Sequence, residues 1–462
     1  MPIDWADFGV DLHLDLDPAT GRRAALERAL RTAIRSGRLA PDTRLPSTRS
    51  LATELRLARN TVAAAYDQLV AEGYLSARTG SGTTVVGLPE RRPPAPATPA
   101  EPAPRYDLRP GSPDVGTFPV DAWLRATRRA LSAAPAAAYD YADPRGRIEL
   151  RTALAGYLGR ARGVLADPGR IVITSGYVQA LSLLARVAGG PVAMEDPGLA
   201  FHRDVVRYAG ADVVPLPVDE RGARTDLLGA GDLASAHVAV LTPAHQYPTG
   251  VTLRPERRHR AVGWANGRRR LLVEDDYDGE FRYDRQPVGA LQGTAPEHVA
   301  YVGTAAKTLG PALRLAWLVL PERLVAPVVR AKRLTDLHTE TIGQLALAHL
   351  IDSHEYDRHV RSCRLRYRRR RDLLVERLGA AHRPVGVAAG LQAYVPLTAD
   401  DEARVLARAA GHGLAVGALR PHWHGVPARH GIVVGYATPG QAAYPAALAA
   451  LAAVLASVRS AP

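Results

Sequence analysis

The stretch Tyr301-Val-Gly-Thr-Ala-Ala-Lys307-Thr-Leu-Gly-Pro-Ala-Leu-Arg314 carries the strongest indication of fold in this 462-residue chain. Lysine occurs only twice, as Lys307 and Lys332, although lysine and arginine together number 59. Lys307 follows an apolar, strand-like run and precedes an arginine by seven residues. An amine with a lowered pKa forms a Schiff base with an aldehyde, whereas a guanidinium does not. The stretch therefore predicts a Schiff-base lysine beyond a strand, with an ordinary surface lysine as the alternative.

Short apolar runs alternate with helix-like segments on both sides of this stretch. Such alternation is typical of an α/β sheet that helices cover on both faces. The pattern therefore predicts a large α/β unit that continues to the C-terminus. Its candidate strands are 170–174, 192–194, 238–241, 271–273, 300–302 and 315–320.

A proline-rich segment, 88–105, lacks apolar anchors and is typical of a semi-rigid linker. It separates a small unit, 12–87, from the large unit, 106–462, in line with the two or three domains expected for this length. The small unit has three helix-like stretches and then two short strand-like runs around 79–82. Two helices joined by a tight turn and followed by a hairpin predict a winged helix-turn-helix.

The net charge, the cysteine count and the length of the apolar segments indicate which kinds of partner and compartment to expect. The net charge of +13 and the sequence pI near 10.1 suit a polyanionic partner such as DNA, although a compositional bias toward arginine also raises the pI. The single cysteine, Cys363, excludes an intrachain disulfide and fits a reducing cytoplasm. No signal-peptide pattern is visible. Residues 446–458 are too few to cross a bilayer and predict a helix packed on the core.

The small unit carries residue types that bind DNA. Arg59, Asn60 and Thr61 open the third helix, and these types bind guanine, adenine and phosphate respectively. Residues flanking the second helix are predicted to hold the DNA backbone, and the turn of the hairpin to approach the minor groove. A helical bundle with a solvated arginine face is the alternative. The predicted DNA-binding set is Arg44, Ser47, Arg49, Arg59, Asn60, Thr61, Gly80, Ser81 and Gly82.

These segments resemble the GntR family of DNA-binding domains, almost without gaps over residues 12–87. The matching runs include Arg44–Ala52 and Glu72–Leu75. Ala58 stands where that family usually has a serine that caps the recognition helix, and loss of a cap typically costs about 1 kcal/mol. Asp42 replaces a usual glycine in a turn.

Four segments of the large unit together fit a phosphorylated pyridine aldehyde. Residues 174–181 follow a strand and open a helix, whose free amides bind phosphate. Residues 274–277 place carboxylates and a tyrosine after a strand, where a carboxylate pairs with a protonated pyridine nitrogen. An acidic loop or a metal site is the alternative there. His245 and Tyr247 follow a further strand and suit the ring substituents, while the opening stretch supplies the amine and a guanidinium for the phosphate.

In this order the segments resemble the fold type I aminotransferases, and with the small unit they resemble the MocR family of transcription regulators. The resemblance implies a mostly parallel sheet with flanking helices and a small C-terminal subdomain. It also implies that pyridoxal 5'-phosphate forms an internal aldimine with Lys307, that Asp275 meets the pyridine nitrogen and that Tyr277 meets the ring hydroxyl. Tyr141 would reach the phosphate of the partner subunit. The expected cofactor-binding set, without a metal, is Lys307, Asp275, Tyr277, Gly176, Tyr177, Arg314, His245, Tyr247, Tyr141 and Thr304.

The chain departs from the family pattern at three places. Leu199 stands where an aromatic usually stacks on the ring, and Phe201 is the candidate replacement. Ala306 replaces a serine just before the lysine. Val433 occupies the place of the arginine that binds a substrate carboxylate, with Arg429 nearby in sequence.

The resemblance therefore implies a homodimeric, cytoplasmic regulator in which each DNA-binding domain often lies over the other subunit. Its partners would be a double-stranded operator and, as effector, pyridoxal phosphate or its adduct with an amine. The missing arginine favours cofactor sensing of the PdxR type, in control of vitamin B6 synthesis, over amino-acid sensing of the GabR type. A working aminotransferase, with Lys307 as its catalytic residue, and a plain repressor whose large domain only dimerises are the alternatives.

Overall fold

The structure, a computed structural model, describes residues 14, 16–17, 21–78, 82–87, 103–267, 270–283 and 288–459. The chain divides into two compact units, 1–101 and 102–462. The division falls inside the segment predicted as a linker, of which 88–102 lie outside the described residues. The boundaries 12–87, 88–105 and 106–462 stay predictions.

The small unit is a three-helix bundle with a three-stranded antiparallel sheet in the order β1-β3-β2. Leucines of all three helices are fully buried in one apolar core. The first strand, only two residues long, was not predicted. The elements are α1 (Arg22–Arg35), β1 (Arg44–Leu45), α2 (Thr48–Glu54), α3 (Arg59–Ala71), β2 (Leu75–Arg78) and β3 (Gly82–Val85).

The large unit contains a main sheet with helices packed on both faces and a smaller sheet. Its strands are β4 (Tyr106–Leu108), β5 (Ile171–Thr174), β6 (Val192–Asp196), β7 (Val213–Asp219), β8 (Gly222–Ala223), β9 (Val238–Leu241), β10 (Leu271–Asp276), β11 (Val299–Thr304), β12 (Ala316–Val319), β13 (Gln392–Leu397), β14 (Leu414–Ala418) and β15 (His430–Gly435). Its helices are α4 (Val120–Ala133), α5 (Ile148–Arg162), α6 (Tyr177–Ala188), α7 (Ala200–Tyr208), α8 (Pro255–Ala265), α9 (Glu322–Asp336), α10 (Thr341–Asp352), α11 (Glu355–Leu378), α12 (Ala399–Gly411) and α13 (Tyr444–Arg459).

The main sheet is mostly parallel, as the family resemblance implied. Its strand order is β5-β12-β11-β10-β9-β6-β7-β8, and only β12 and β8 run antiparallel to their neighbours. All six predicted strands are present, and every residue of β5, β9, β10, β11 and β12 is buried. The carboxyl ends of the parallel strands meet at one edge, which is where ligands bind in open α/β sheets.

The smaller sheet has the order β13-β15-β14-β4 and forms the C-terminal subdomain together with α12 and α13. The segment 446–458, predicted as a core helix, lies in α13, and Leu448, Leu451 and Leu455 are buried there. Among the described residues no helix combines the length and the hydropathy needed to cross a bilayer.

Candidate functional site

The first turn of α3 presents the side chains predicted to read DNA. Arg59 and Asn60 are exposed, and Thr61 is half-buried. Ala58 precedes the helix without a side-chain cap, so the first amides of α3 have no side-chain partner there. The Tyr66 hydroxyl donates to the carbonyl of Pro46 over 3.0 Å, which fixes α3 against the start of α2.

Of the predicted DNA-binding residues around α2, the arginines are exposed and the serine has a structural role. Arg44 and Arg49 are exposed. Ser47 caps α2, because its hydroxyl oxygen accepts from the amide of Ser50 at 3.1 Å, and any DNA contact by Ser47 would come in addition to that role. Arg44 lies against the hairpin, since a Cβ at Gly82 would come within 2.9 Å of the Arg44 Nε atom. Gly80 and Ser81, predicted at the tip of the wing, lie outside the described residues.

A cavity of about 490 Å³ opens at the carboxyl edge of the main sheet. Residues of β6, β9, β10 and β11, of the loops after them and of the turn after β5 meet there, as the topology requires. The predicted cofactor residues that line it are Gly176, Tyr177, Tyr247, Asp275, Tyr277, Thr304, Lys307 and Arg314. His245 and Tyr141 do not line it.

Lys307 lies in the loop after β11 and points its amine into the cavity. The amine donates to the carbonyl of Gly111, a contact between segments far apart in sequence. Burial lowers the pKa of the Lys307 amine below its ordinary value, and the nearby carboxylates of Asp278 and Asp275 only partly oppose this shift. A lowered pKa increases the fraction of neutral, nucleophilic amine.

Asp275, near the end of β10, provides a buried carboxylate on the cavity wall. Its Oδ1 atom and the hydroxyl of Tyr177 are both buried without a hydrogen-bond partner of good geometry among the described residues. Burial raises the pKa of the Asp275 carboxyl well above its ordinary value. The neighbouring Tyr177 hydroxyl favours the charged carboxylate and opposes this increase only in part. An unpaired buried carboxyl is costly unless a ligand completes it. A protonated pyridine nitrogen is such a ligand, so the site fits a pyridine aldehyde.

The turn between β5 and α6 is where the sequence predicts the cofactor phosphate. Gly176 precedes α6 with φ +124°, and the guanidinium of Arg314 lies against its α-carbon. The Thr304 hydroxyl accepts from the amide of Ala306 at 3.1 Å, which orders the loop that carries Lys307. Free amides at a helix N-terminus and a guanidinium together suit a phosphate.

Gly176→Ala is expected to weaken binding of pyridoxal phosphate by about tenfold or more, because the backbone conformation there strains any other residue and a Cβ would displace the Arg314 guanidinium. A Cβ at residue 176 would lie 2.7 Å from the Arg314 Nη2 atom, and φ is in the left-handed range. Titration of the apo protein with the cofactor, followed by absorbance, measures the loss. Gly156→Ala is the control, since a Cβ there meets nothing within 4 Å. Equal affinities of the two variants would contradict this placement of the phosphate.

Tyr277 lies on the cavity wall with its hydroxyl held in place. It donates to the carbonyl of His245 over 3.1 Å and accepts from the Gln392 amide over 2.8 Å. His245 lies behind this tyrosine, where its Nδ1 atom contacts the Asp278 carboxylate at 2.8 Å. His245 therefore lies behind Tyr277 and not on the cavity wall, and its predicted contact with the cofactor stays a prediction. Gln392, from β13, was not predicted.

Two neighbouring residues, Phe201 and His202, line the cavity close to Leu199. Phe201, the candidate for the missing aromatic, reaches the cavity but is 56% exposed. His202 instead lies with its ring 4.5 Å from that of Tyr177, at 32°, and lines the same cavity. Burial and the charge of Lys307 lower the pKa of His202 to about 3, so its imidazole is neutral. No pattern in the sequence indicated this position of His202, which is only three residues beyond Leu199.

Glu195, at the end of β6, is a second carboxyl on the cavity wall. It accepts from the amide of Thr242 at 3.1 Å and contacts the Thr242 hydroxyl at 2.5 Å. The Gln246 amide lies 3.4 Å away and also donates to the carbonyl of Pro197. Burial raises the pKa of Glu195 from 4.5 to about 7. This network joins the loops after β6 and β9, and its role was not predicted.

Glu195→Gln is expected to stabilise the apo protein relative to the parent as pH rises. The pKa of Glu195 is about 7 in the folded protein and 4.5 in the unfolded chain. Between pH 4.5 and pH 7 the carboxyl is therefore protonated in the folded protein and ionised in the unfolded chain. Stability from this carboxyl is therefore full below pH 4.5 and is lost as pH rises through 7. Glutamine does not ionise, so the variant does not lose this contribution to the free energy of unfolding, which amounts to about 3 kcal/mol. Melting temperatures at about pH 5 and about pH 8 measure it, and a constant difference between variant and parent would contradict it.

Two further predicted residues lie away from the cavity. Val433 is buried in β15 with Tyr394 and Leu419, so the place of a carboxylate-binding arginine is apolar. Arg429 pairs with Glu220 at 2.6 Å and lines a different pocket, which excludes it as a replacement in this structure.

Tyr141 is 82% exposed, beside the ring of His338. Its predicted contact with the phosphate of a partner subunit stays a prediction. No cluster of three or more metal-ligating side chains occurs within the described part of the chain.

Comparison with known proteins agrees with both units. Residues 107–423 match the aminotransferase class I and II family, and residues 22–85 match the gntR family of bacterial regulatory proteins. The HTH-type pyridoxine biosynthesis transcriptional regulator PdxR of Corynebacterium glutamicum is 32% identical over 92% of this chain and 94% of that protein. The probable rhizopine catabolism regulatory protein MocR of Rhizobium meliloti is 34% identical over 92% of each.

Solved structures show the same fold for the large unit. Kynurenine aminotransferase of Pyrococcus horikoshii superposes with a TM-score of 0.69 at 25% identity, over 77% of this chain and 91% of that one.

Proposed function

This chain belongs to the MocR-type transcription regulators, which join a GntR-type DNA-binding unit to an aminotransferase-like unit that binds pyridoxal phosphate, and we propose that the cofactor itself is its effector. The observation that carries the proposal is that one cavity is lined both by the half-buried amine of Lys307 and by the buried carboxyl of Asp275, whose Oδ1 atom has no hydrogen-bond partner of good geometry among the described residues. The similarity to PdxR supports control of vitamin B6 synthesis as the regulated process.

Different residues of the cavity would hold different parts of the cofactor. Lys307 would hold the aldehyde carbon, Asp275 the pyridine nitrogen and Tyr277 the ring hydroxyl. Arg314 and the turn at Gly176 would hold the phosphate. When bound, pyridoxal phosphate supplies an electrophilic aldehyde and an electron-accepting ring. His202, neutral and beside Tyr177, would lie against the ring and shield it from water.

The charges around the cavity argue against a free amino acid as effector. Arg203 reaches its wall, but its guanidinium donates to the carbonyls of Gly198, His422 and Trp423 at 2.8–3.1 Å. Arg314 lies at the phosphate end. With Val433 apolar, no other arginine of the described residues lines this cavity, so an α-carboxylate would lack a cationic partner. Pyridoxal phosphate satisfies the available groups without one.

An active aminotransferase is the second candidate, because Lys307, Asp275 and Tyr277 are the groups that such chemistry uses. The fold similarity to kynurenine aminotransferase favours this candidate. The absence of a free guanidinium for a substrate carboxylate leads us to propose at most vestigial turnover. Sustained conversion of an amino donor without DNA would overturn this part of the proposal.

Regulation requires the effector to bind two arrangements of the protein with different affinities. We propose a homodimer, acting in the cytoplasm, whose large units change their arrangement when the cofactor binds and thereby move the DNA-binding units. Binding to a double-stranded operator would then depend on cofactor occupancy.

The test compares operator affinity of the apo protein, of the protein with pyridoxal phosphate, and of the protein with the cofactor plus candidate amino acids. The operator is first selected from random duplexes. A change on adding the cofactor alone supports the proposal. A response that needs an amino acid would overturn cofactor sensing in favour of an amine adduct.

A further inference from the structure

The second of the two lysines, Lys332, is fully buried in α9. Its amine lies 2.8 Å from both carboxylate oxygens of Asp336 and donates to the Thr339 hydroxyl at 3.0 Å. Lysine is rarely buried unless it is paired. Burying this ion pair therefore carries a desolvation free energy that a surface lysine would not have.

A chain of hydrogen bonds leads from this pair to the phosphate turn. The Gln179 amide nitrogen donates to Asp336 at 2.7 Å. The amide oxygen of the same side chain accepts from the Ser175 amide at 2.9 Å and from the Ser175 hydroxyl at 3.2 Å. Ser175 immediately precedes Gly176. The Thr339 hydroxyl also donates to the carbonyl of Ile173, in the strand that leads into the turn.

We propose that Lys332 and Asp336 are positioning residues for the cofactor phosphate. They fix the amide of Gln179, and Gln179 fixes the turn at Ser175 and Gly176 that receives the phosphate. The proposal rests on the function proposed above, since it assumes that this turn is the phosphate site.

The Lys332–Asp336 pair determines the orientation of the Gln179 side-chain amide. An amide group has a donor end and an acceptor end. Because Asp336 accepts from the nitrogen, the oxygen is directed at the Ser175 amide. Loss of the carboxylate would free the side chain to rotate and leave that amide without its acceptor. The Lys332–Asp336 pair is neutral overall, so its effect on the phosphate is positional and not a matter of added charge.

The experiment measures the affinities of the full-length apo chain for pyridoxal phosphate and for pyridoxal, which lacks the phosphate. The double variant Lys332→Met/Asp336→Leu removes both charges together and leaves no lone buried ion. Its affinity for pyridoxal phosphate is expected to fall by about tenfold, while that for pyridoxal changes by less than about twofold. Gln179→Leu, which leaves the ion pair in place, is expected to show the same selective loss.

The matched control is Arg257→Met/Asp219→Leu, which removes another ion pair, at 2.6 Å, of the same unit. It is expected to leave the preference for the phosphorylated aldehyde unchanged. Equal losses for both ligands in the Lys332 variant, or an undiminished preference, would overturn the positioning role. A parent chain without any preference for the phosphorylated ligand would instead overturn the phosphate site, and with it the function proposed above.

Discussion

Lys307→Ala is expected to abolish covalent retention of pyridoxal phosphate while leaving the fold intact. The amine is the only group in the cavity that can condense with the aldehyde, because the other lysine is buried in an ion pair. Among the described residues the Lys307 amine makes one hydrogen bond, to the Gly111 carbonyl, so we expect little stability to depend on it. Mass spectrometry after borohydride reduction should show the cofactor on the parent and none on the variant.

Lys307→Arg is the matched control for this experiment. It keeps a positive charge in the cavity, yet a guanidinium does not form the covalent bond. Both variants should therefore lack the reduced adduct and should melt close to the parent in their apo forms. An adduct found on either variant, or a parent that takes up no cofactor at all, would contradict the assignment of Lys307.

Arg59→Ala is expected to weaken operator binding by about 1–3 kcal/mol, the usual value of an arginine that contacts a base edge. Arg59 is exposed at the first residue of α3, where recognition helices enter the major groove. Binding to the selected operator should fall much more than binding to a random duplex, because phosphate contacts remain. Fluorescence anisotropy with labelled duplexes measures both affinities.

Arg22→Ala serves as the control, because Arg22 is equally exposed but opens α1. It removes the same charge from the same unit and is expected to change operator affinity only through general electrostatics. Cofactor absorbance should be unchanged in both variants. Equal effects on operator and random DNA in Arg59→Ala would show that Arg59 contacts phosphate and not a base.

The sequence alone predicted the features that depend on residues close together in the chain. The spacing of apolar residues and the positions of glycine and proline predicted the helices of the small unit and the six strands of the large unit. Lys307 follows β11 and Asp275 lies near the end of β10, so both are at the carboxyl edge of the main sheet. The positive φ of Asp42, 63°, also explains the glycine that the family prefers there, since aspartate tolerates this conformation better than most residues.

The remaining features depend on contacts between distant segments. Gly111 and Gln392 reach the cavity through pairings that no local pattern reveals. His245 and Tyr247 are two residues apart, yet only the latter lines the cavity, because the loop's course and not its composition decides which side chain faces inward. The same holds for His202, whose place beside Tyr177 depends on how α7 packs against α6.

The burial of Lys332 has a practical consequence. Its amine is inaccessible and already engaged, so a reagent that acylates amines under native conditions finds Lys307 as the one lysine side chain within reach. A fluorophore or crosslinker should therefore attach at the cavity and, apart from the N-terminal amine, nowhere else on the folded chain. Protection of Lys307 from such labelling would then report occupancy directly, even for ligands without colour.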